Sequence, residues 1–170
     1  MTNNKLNKMV LSAMFTAMIF VLTKFVSVPV ASGYVHLGDA LVYIVASVLG
    51  GPWALFSAAI GGALADAVSG WMSYAPATLI IKTLIALPFV LCYKKSDRIL
   101  TPLTALLTIP AGAITVGGYF IADMIIDKAY AFVNIPGNLI QAVGSAVLFI
   151  VLGVSFDTAK LKKKFFIDRM

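Results

Sequence analysis

The feature that most constrains this chain is a series of long apolar segments separated by short turn signals. The segments occupy residues 9–28, 37–49, 53–69, 77–93, 103–126 and 138–156, with turn signals such as Gly50-Gly51-Pro52 between them. A helix rises 1.5 Å per residue, so roughly 20 apolar residues cross a hydrocarbon core of about 30 Å. Only 12% of the residues are charged, against about a quarter in soluble domains. The sequence therefore predicts one all-α integral membrane domain over residues 1–170.

The positions of lysine and arginine predict how many segments cross the membrane. Segment 37–49 is doubtful as a span because its length reaches only some 20 Å. If it did not cross, the basic clusters at 94–98 and 160–164 would face opposite sides, whereas basic residues of short loops collect on the cytoplasmic side. With six spans and a cytoplasmic N-terminus, these basic residues lie inside: Lys5, Lys8, Lys94, Lys95, Arg98, Lys160, Lys162, Lys163, Lys164 and Arg169. We therefore expect a bundle of six transmembrane helices with both termini cytoplasmic.

Several functional classes are disfavoured by composition. The net charge of +6 falls in short clusters between apolar segments, which indicates membrane topology and not a nucleic-acid surface. The sequence has no phosphate-binding loop, no glutamate and no Gly-x-Ser-x-Gly motif. It has one histidine, His36, and one cysteine, Cys92, so a metal site or a Cys–His pair is not expected. We expect no enzyme, no metal and no cofactor.

Polar side chains within the apolar segments gather toward the outer side of the expected topology. A charge at the bilayer centre costs about 2.5–3.5 kcal/mol on insertion scales, so such residues need partners or a wet cavity. The candidate ligand-binding residues of this group are His36, Asp39, Asp66, Lys82, Asp123, Asn138 and Gln141. An outward-facing polar pocket would accommodate all of them.

Each of these residues also has a structural interpretation. Asp39 and Asp123 could be solvated helix ends, and Asp66 and Lys82 could pair with each other instead of lining a ligand site. Asn138 and Gln141 lie three apart on one helix face, where they could hydrogen-bond a ligand or a neighbouring helix. The sequence leaves these alternatives open.

Aromatic residues add to the outer cluster. The candidates are Tyr34, Trp71, Tyr74 and Tyr119. An aromatic belt at the membrane interface is one interpretation. The other is a set of flat surfaces that stack on a ring-shaped ligand, with Tyr34, Trp71 and Tyr74 closing over it.

Small residues in the first and third segments predict close helix packing. Residues Ala54, Ser57, Ala58, Gly61, Gly62 and Ala65 follow helical spacing on one face. Such a stripe lets a neighbouring backbone approach, and we expect it to pack inside the bundle. Ala13 and Ala17 form a shorter version, and their spacing alone does not distinguish packing within the chain from packing against a partner.

Several motifs together resemble the S components of energy-coupling factor (ECF) transporters. They are GYVHLGD at 33–39, GGALAD at 61–66 with SG at 69–70, YAPAT at 74–78 with IK at 81–82, and Pro136-x-Asn138-x-x-Gln141. The resemblance covers nearly the whole chain. It is strongest to the group that contains hydroxymethylpyrimidine, pyridoxine and riboflavin members.

The resemblance implies a substrate-binding subunit in the plasma membrane of a prokaryote. Such a subunit captures a vitamin outside the cell and works with a transmembrane T subunit and two cytoplasmic ATPase subunits. The Ala-x-x-x-Ala match at Ala13 and Ala17 would pack on the T subunit. Hydroxymethylpyrimidine or a pyridoxine-like ligand is favoured, with riboflavin next. The alternatives are a stand-alone proton-coupled carrier and a non-transporting membrane scaffold.

Overall fold

The computed structural model describes residues 3–30, 33–93 and 96–162 of the protein. Within them the chain forms six α-helices and one antiparallel hairpin. The helices are α1 (Asn3–Phe25), α2 (Gly38–Val48), α3 (Gly51–Val68), α4 (Ala75–Cys92), α5 (Pro102–Ile126) and α6 (Ile135–Thr158), and the strands are β1 (Ser27–Val30) and β2 (Gly33–His36). The expected all-α membrane bundle is thereby confirmed. Lys94, Lys95, Lys163, Lys164 and Arg169, which contribute to the orientation prediction, lie outside the described residues.

Five of the six helices are long and apolar enough to cross a membrane, and α2 is the exception. Its 11 residues rise only about 16 Å. All of them are buried, in contact with α1, α3, α4 and α6. Because its neighbours and not lipid surround it, α2 does not need the length of a free-standing span.

The core of the bundle is built around α2. The ring of Tyr43 stacks on Phe89 of α4 with centroids 4.8 Å apart, and Phe149 of α6 meets Tyr43 edge-on at 5.7 Å. Offset and edge-to-face geometries are those that aromatic pairs favour. These three side chains join α2, α4 and α6 in the middle of the bundle.

The small-residue stripe of α3 packs inside the bundle, as the sequence predicted, because all of its members are buried. A Cβ atom added at Gly61 would lie 2.9 Å from the Ile19 side chain and from the Thr16 carbonyl oxygen of α1. One at Gly62 would lie 2.9 Å from Lys82 Cγ of α4. Glycine at these positions lets α3 approach α1 on one side and α4 on the other.

The hairpin is the main departure from the sequence prediction. The first span was expected over 9–28, but α1 ends at Phe25 and residues 27–30 form a strand. The physical reason is local: Pro29 cannot continue a helix and the neighbouring valines favour extended backbone. In the observed register Ser27 pairs with His36, and Pro29 pairs with Tyr34. The hairpin thus carries Tyr34 and His36 over one end of the bundle.

Candidate ligand-binding site

A cavity lies at the end of the bundle where the hairpin, the amino end of α6 and the carboxyl ends of α3 and α5 meet. Its volume is about 50 Å³, which has room for about four water molecules. The lining residues are Gly33, Tyr34, Val35, His36, Asp66, Trp71, Tyr74, Tyr119, Asp123, Asn134, Gly137, Asn138 and Gln141. All the residues that the sequence singled out as candidate ligand contacts are among them, except Asp39 and Lys82. That they bind a ligand stays a prediction.

The hairpin side of the cavity is held by hydrogen bonds to two helices. The hydroxyl of Tyr34 donates to Asp66 Oδ1 at 2.5 Å, and the backbone N–H of His36 donates to Gln141 Oε1 at 3.3 Å. Burial and the adjacent Asp66 carboxylate raise the pKa of Tyr34 well above its usual range. Tyr34 therefore keeps its proton and remains a donor at neutral pH.

His36 of β2 lines the cavity and is buried in its neutral form. Burial, and then the positive charge of Lys82, lower its pKa to about 3. Its Nδ1 accepts the backbone N–H of Gly38 at 3.1 Å, which leaves the ring proton on Nε2. The imidazole therefore contributes a neutral N–H group and no positive charge.

Asp66 accepts hydroxyl donors on both of its oxygens. Thr78 of α4 donates to Oδ2, while Tyr34 occupies Oδ1. The Thr78 hydroxyl also lies 3.1 Å from the Tyr119 hydroxyl. Asp66 thus connects the hairpin to α4 and, through Thr78, to α5. Thr78 was not singled out in the sequence.

Lys82 pairs with Asp39, and not with Asp66 as one sequence interpretation had it. The Lys82 ammonium forms a salt bridge with Asp39 Oδ1, and the side-chain amide of Gln141 donates to Asp39 Oδ2 at 3.1 Å. Lys82 also lies 5.3 Å from the centroid of the Tyr119 ring. Asp39 and Lys82 are 0% and 1% exposed. The pair therefore lies behind the residues that line the cavity. The charges of Asp39 and Lys82 neutralise each other there, and Asp39 fixes the side chain of Gln141 by a hydrogen bond.

Asp123 organises the other side of the cavity. The Tyr74 hydroxyl donates to its Oδ1 at 2.6 Å, and the Asn134 side-chain amide donates to its Oδ2 at 3.1 Å. Trp71 meets Tyr74 edge-on, with ring centroids 5.9 Å apart. This group links the α3–α4 connection, α5 and the start of α6 around one carboxylate.

Asn134 is a lining residue that sequence reasoning missed. It lies one helical turn before Asn138, which the sequence did single out, and directly before the Ile135-Pro136-Gly137 helix start. The i to i+4 spacing with Asn138 was the signal that could have found it.

Ala13 and Ala17 lie far from the cavity lining, on the exposed face of α1. The opposite face of α1 carries Ser12, whose hydroxyl lies 2.8 Å from the Ser57 hydroxyl of α3. The alanine pair therefore lies on a different face of α1 from the one that contacts α3 at Ser12.

Comparison with known protein families identifies the family to which this chain belongs. A family model described as "ECF-type riboflavin transporter, S component" matches residues 3–158. The chain belongs to this family. Comparison with curated proteins gives no match. An ECF S component is a membrane-embedded, non-enzymatic subunit that binds a vitamin-type substrate and works with T and ATPase subunits, and the five long apolar helices fit such a protein.

Proposed function

We propose that this S component captures a small, single-ring vitamin or vitamin precursor at the outer face of the membrane for ATP-driven uptake. The favoured ligands are hydroxymethylpyrimidine and pyridoxine-like compounds, and riboflavin is the alternative. The observation that carries the proposal is one cavity that combines aromatic rings with carboxylate, amide and hydroxyl groups. Ring stacking and a few fixed polar groups are what a small heteroaromatic ligand requires.

The size of the cavity supports a single ring over riboflavin. At about 50 Å³, the cavity is small for a ligand pocket, so a single ring requires less rearrangement than a larger ligand. Riboflavin, with three fused rings and a sugar-alcohol chain, requires a much larger rearrangement. The family description supports riboflavin, which is why riboflavin belongs in the same binding test.

The orientation follows from the described basic residues. Lys5 and Lys8 lie at the start of α1, whereas the cavity lies at the end of the bundle where α3 and α5 finish. Arg98 and Lys160 lie near the start of α5 and the end of α6, again opposite the cavity. By the positive-inside rule, this distribution supports a cavity on the outside and both termini in the cytoplasm, although Lys24 and Lys128 lie at the cavity end. A single membrane domain over 1–170 in a prokaryotic plasma membrane is part of the same proposal.

The partner surface is the exposed face of α1 around Ala13 and Ala17. Small side chains on an exposed helix face allow another helix to pack at close range. We assign this face to the T subunit, which would connect the chain to two cytoplasmic ATPase subunits.

The ligand is tested by mass spectrometry of what copurifies with the protein, followed by titration calorimetry with hydroxymethylpyrimidine, pyridoxine and riboflavin. We expect a single-ring compound to bind most tightly. Asn138→Ala should weaken binding about 5-fold, since a ligand hydrogen bond contributes on the order of 1 kcal/mol. Asp127→Asn is the matched control, because Asp127 is exposed and its side chain accepts the backbone N–H of Ala129.

Tightest binding by riboflavin would overturn the single-ring assignment, and equal binding by Asn138→Ala and wild type would overturn the assignment of that residue. Reconstituted uptake separates the two rival functions. Uptake by this chain alone, driven by a proton gradient, would indicate a proton-coupled carrier. A protein that binds no small molecule would indicate a scaffold.

A further inference from the structure

The charged side chains that line the cavity are acidic, and no basic side chain balances them within the described lining. Two carboxylates, Asp66 and Asp123, line it. Among the described lining residues none is lysine or arginine, and His36 is neutral. The nearest buried cation, Lys82, is already paired with Asp39. The described lining therefore contains two acidic side chains and no positively charged one.

The side-chain orientation of Asn134 is fixed by its neighbour. An ionised carboxylate can only accept hydrogen bonds, so the atom of Asn134 that faces Asp123 Oδ2 at 3.1 Å must be the NH₂ group. The other side-chain atom, Oδ1, is then an acceptor. It is buried and has no hydrogen-bond partner within the described part of the chain, while Asn134 as a whole is 7% exposed.

An unsatisfied buried acceptor is costly, and in native proteins such groups are rare. Of the residues with such an unsatisfied atom in the described part of the chain, Asn134 is the one that lines the cavity, so a ligand donor is the group that would satisfy Asn134 Oδ1 after a small movement of the side chain. The adjacent Asp123 favours a donor that is positively charged or strongly polarised, and disfavours an anion for the same reason. Lysine and arginine, which commonly neutralise phosphate, are not part of the described lining.

We propose that Asp123 and Asn134 form an acceptor pair that selects a ligand with an exocyclic amino or hydroxyl donor and rejects the phosphate ester of that ligand. The inference rests on the proposed function and adds the chemical form of the substrate. It makes Asp123 and Asn134 specificity-determining residues. Phosphorylation of the ligand, which adds about −1.5 to −2 charge, would place that charge next to Asp123.

The test uses the purified full-length chain in nanodiscs and compares each parent compound with its monophosphate. The probes are hydroxymethylpyrimidine, pyridoxine and their phosphate esters, with riboflavin as a further parent compound. We expect the parent that binds to have an affinity at least about 100-fold higher than that of its ester, because like charges in a buried site are strongly disfavoured. An ester that binds as tightly as its parent overturns the inference and leaves the proposed function intact. Failure of every parent to bind overturns both.

Two variants identify the residues responsible. Asp123→Asn removes the charge at constant size, so the parent should bind more weakly and the preference over the ester should shrink at least about 10-fold. A residue that only stabilises the fold would weaken the binding of both compounds equally, so an unchanged ratio overturns the role of Asp123.

Asn134→Ala should weaken binding of the parent compound with little change in the parent-to-ester ratio, since it removes an acceptor but no charge. Unchanged parent affinity in this variant overturns the role of Asn134. Asp127→Asn should leave both affinities at the wild-type level.

Discussion

The first two helices stand at opposite extremes of burial. Large apolar side chains along α1 are exposed, namely Leu6, Met9, Val10, Met14, Met18, Val21 and Phe25, whereas every residue of α2 is buried. Both helices are apolar, but α1 is solvated by lipid and α2 by other helices. Lipid contacts are exchanged for partner contacts at little cost, whereas a buried helix with a charged residue depends on specific neighbours. The difference predicts where substitutions affect folding and where they affect only assembly.

The largest effect on stability should come from the ion pair that α2 makes with α4. Asp39→Ala leaves Lys82 as a buried charge without its salt bridge, and we expect the free energy of unfolding to fall by about 3–5 kcal/mol. The measurement is detergent-induced unfolding in mixed micelles. The double variant Asp39→Leu with Lys82→Met should be less destabilised than Asp39→Ala, because no unpaired charge remains. A double variant as unstable as Asp39→Ala would contradict this account.

An intermediate effect is expected where α1 packs on α3. Gly61→Ala places a Cβ 2.9 Å from Ile19 and from the Thr16 carbonyl oxygen, and such overpacking typically costs about 1–3 kcal/mol. Gly117→Ala is the matched control, since a Cβ there meets nothing within 4 Å. The same unfolding assay should show Gly61→Ala destabilised and Gly117→Ala unchanged or slightly more stable. Equal stability of the two variants would show that the contact between α1 and α3 tolerates the added methyl group.

The smallest effect on stability should come from the exposed face of α1. Ala13→Leu and Ala17→Leu, made together, should change the free energy of unfolding by no more than about 0.5 kcal/mol, as is usual for surface substitutions. Ligand affinity should be unchanged. Copurification with a coexpressed T subunit should nevertheless be lost, because the larger side chains prevent close helix packing.

The matched control for this pair is Ala113→Leu, at an exposed position of α5. It should keep both ligand binding and copurification. If the Ala13/Ala17 variant lost ligand binding together with the partner, the exposed face would have a folding role and the contrast with α2 would fail.

Most of the fold could be predicted from the sequence, since apolar length and turn signals identify helices well. The predicted segment 103–126 and the helix Pro102–Ile126 differ by one residue. The hairpin was not predicted, because residues 27 and 28 were counted with the apolar run of the first segment. Pro29 marks the end of the helix, but hydropathy does not show that 27–30 pairs with 33–36. Strand pairing depends on a partner that local hydropathy does not identify.

Most of the residues that line the cavity could be predicted from the sequence, but the hydrogen bonds and the ion pair among them could not. Placing polar residues at one end of an antiparallel bundle brings Tyr34, Asp66 and Asn138 together without any knowledge of side-chain geometry. The ion-pair partner of Lys82 could not be predicted, because Asp39 and Asp66 both lie near that end of the bundle and only the rotation of the helices about their axes selects between them. Hydropathy and charge carry no information about rotation, which close packing at Gly62 and similar contacts determine.

A single residue, Val26, separates the last turn of α1 from the hairpin. The hairpin is in turn tied to the cavity by the Tyr34–Asp66 and His36–Gln141 hydrogen bonds, which β2 makes. Under the proposed assignment of α1 to the T subunit, a tilt of α1 would be transmitted through β1 and its pairing with β2 to these two hydrogen bonds. Partner docking and ligand release would then depend on the same contacts.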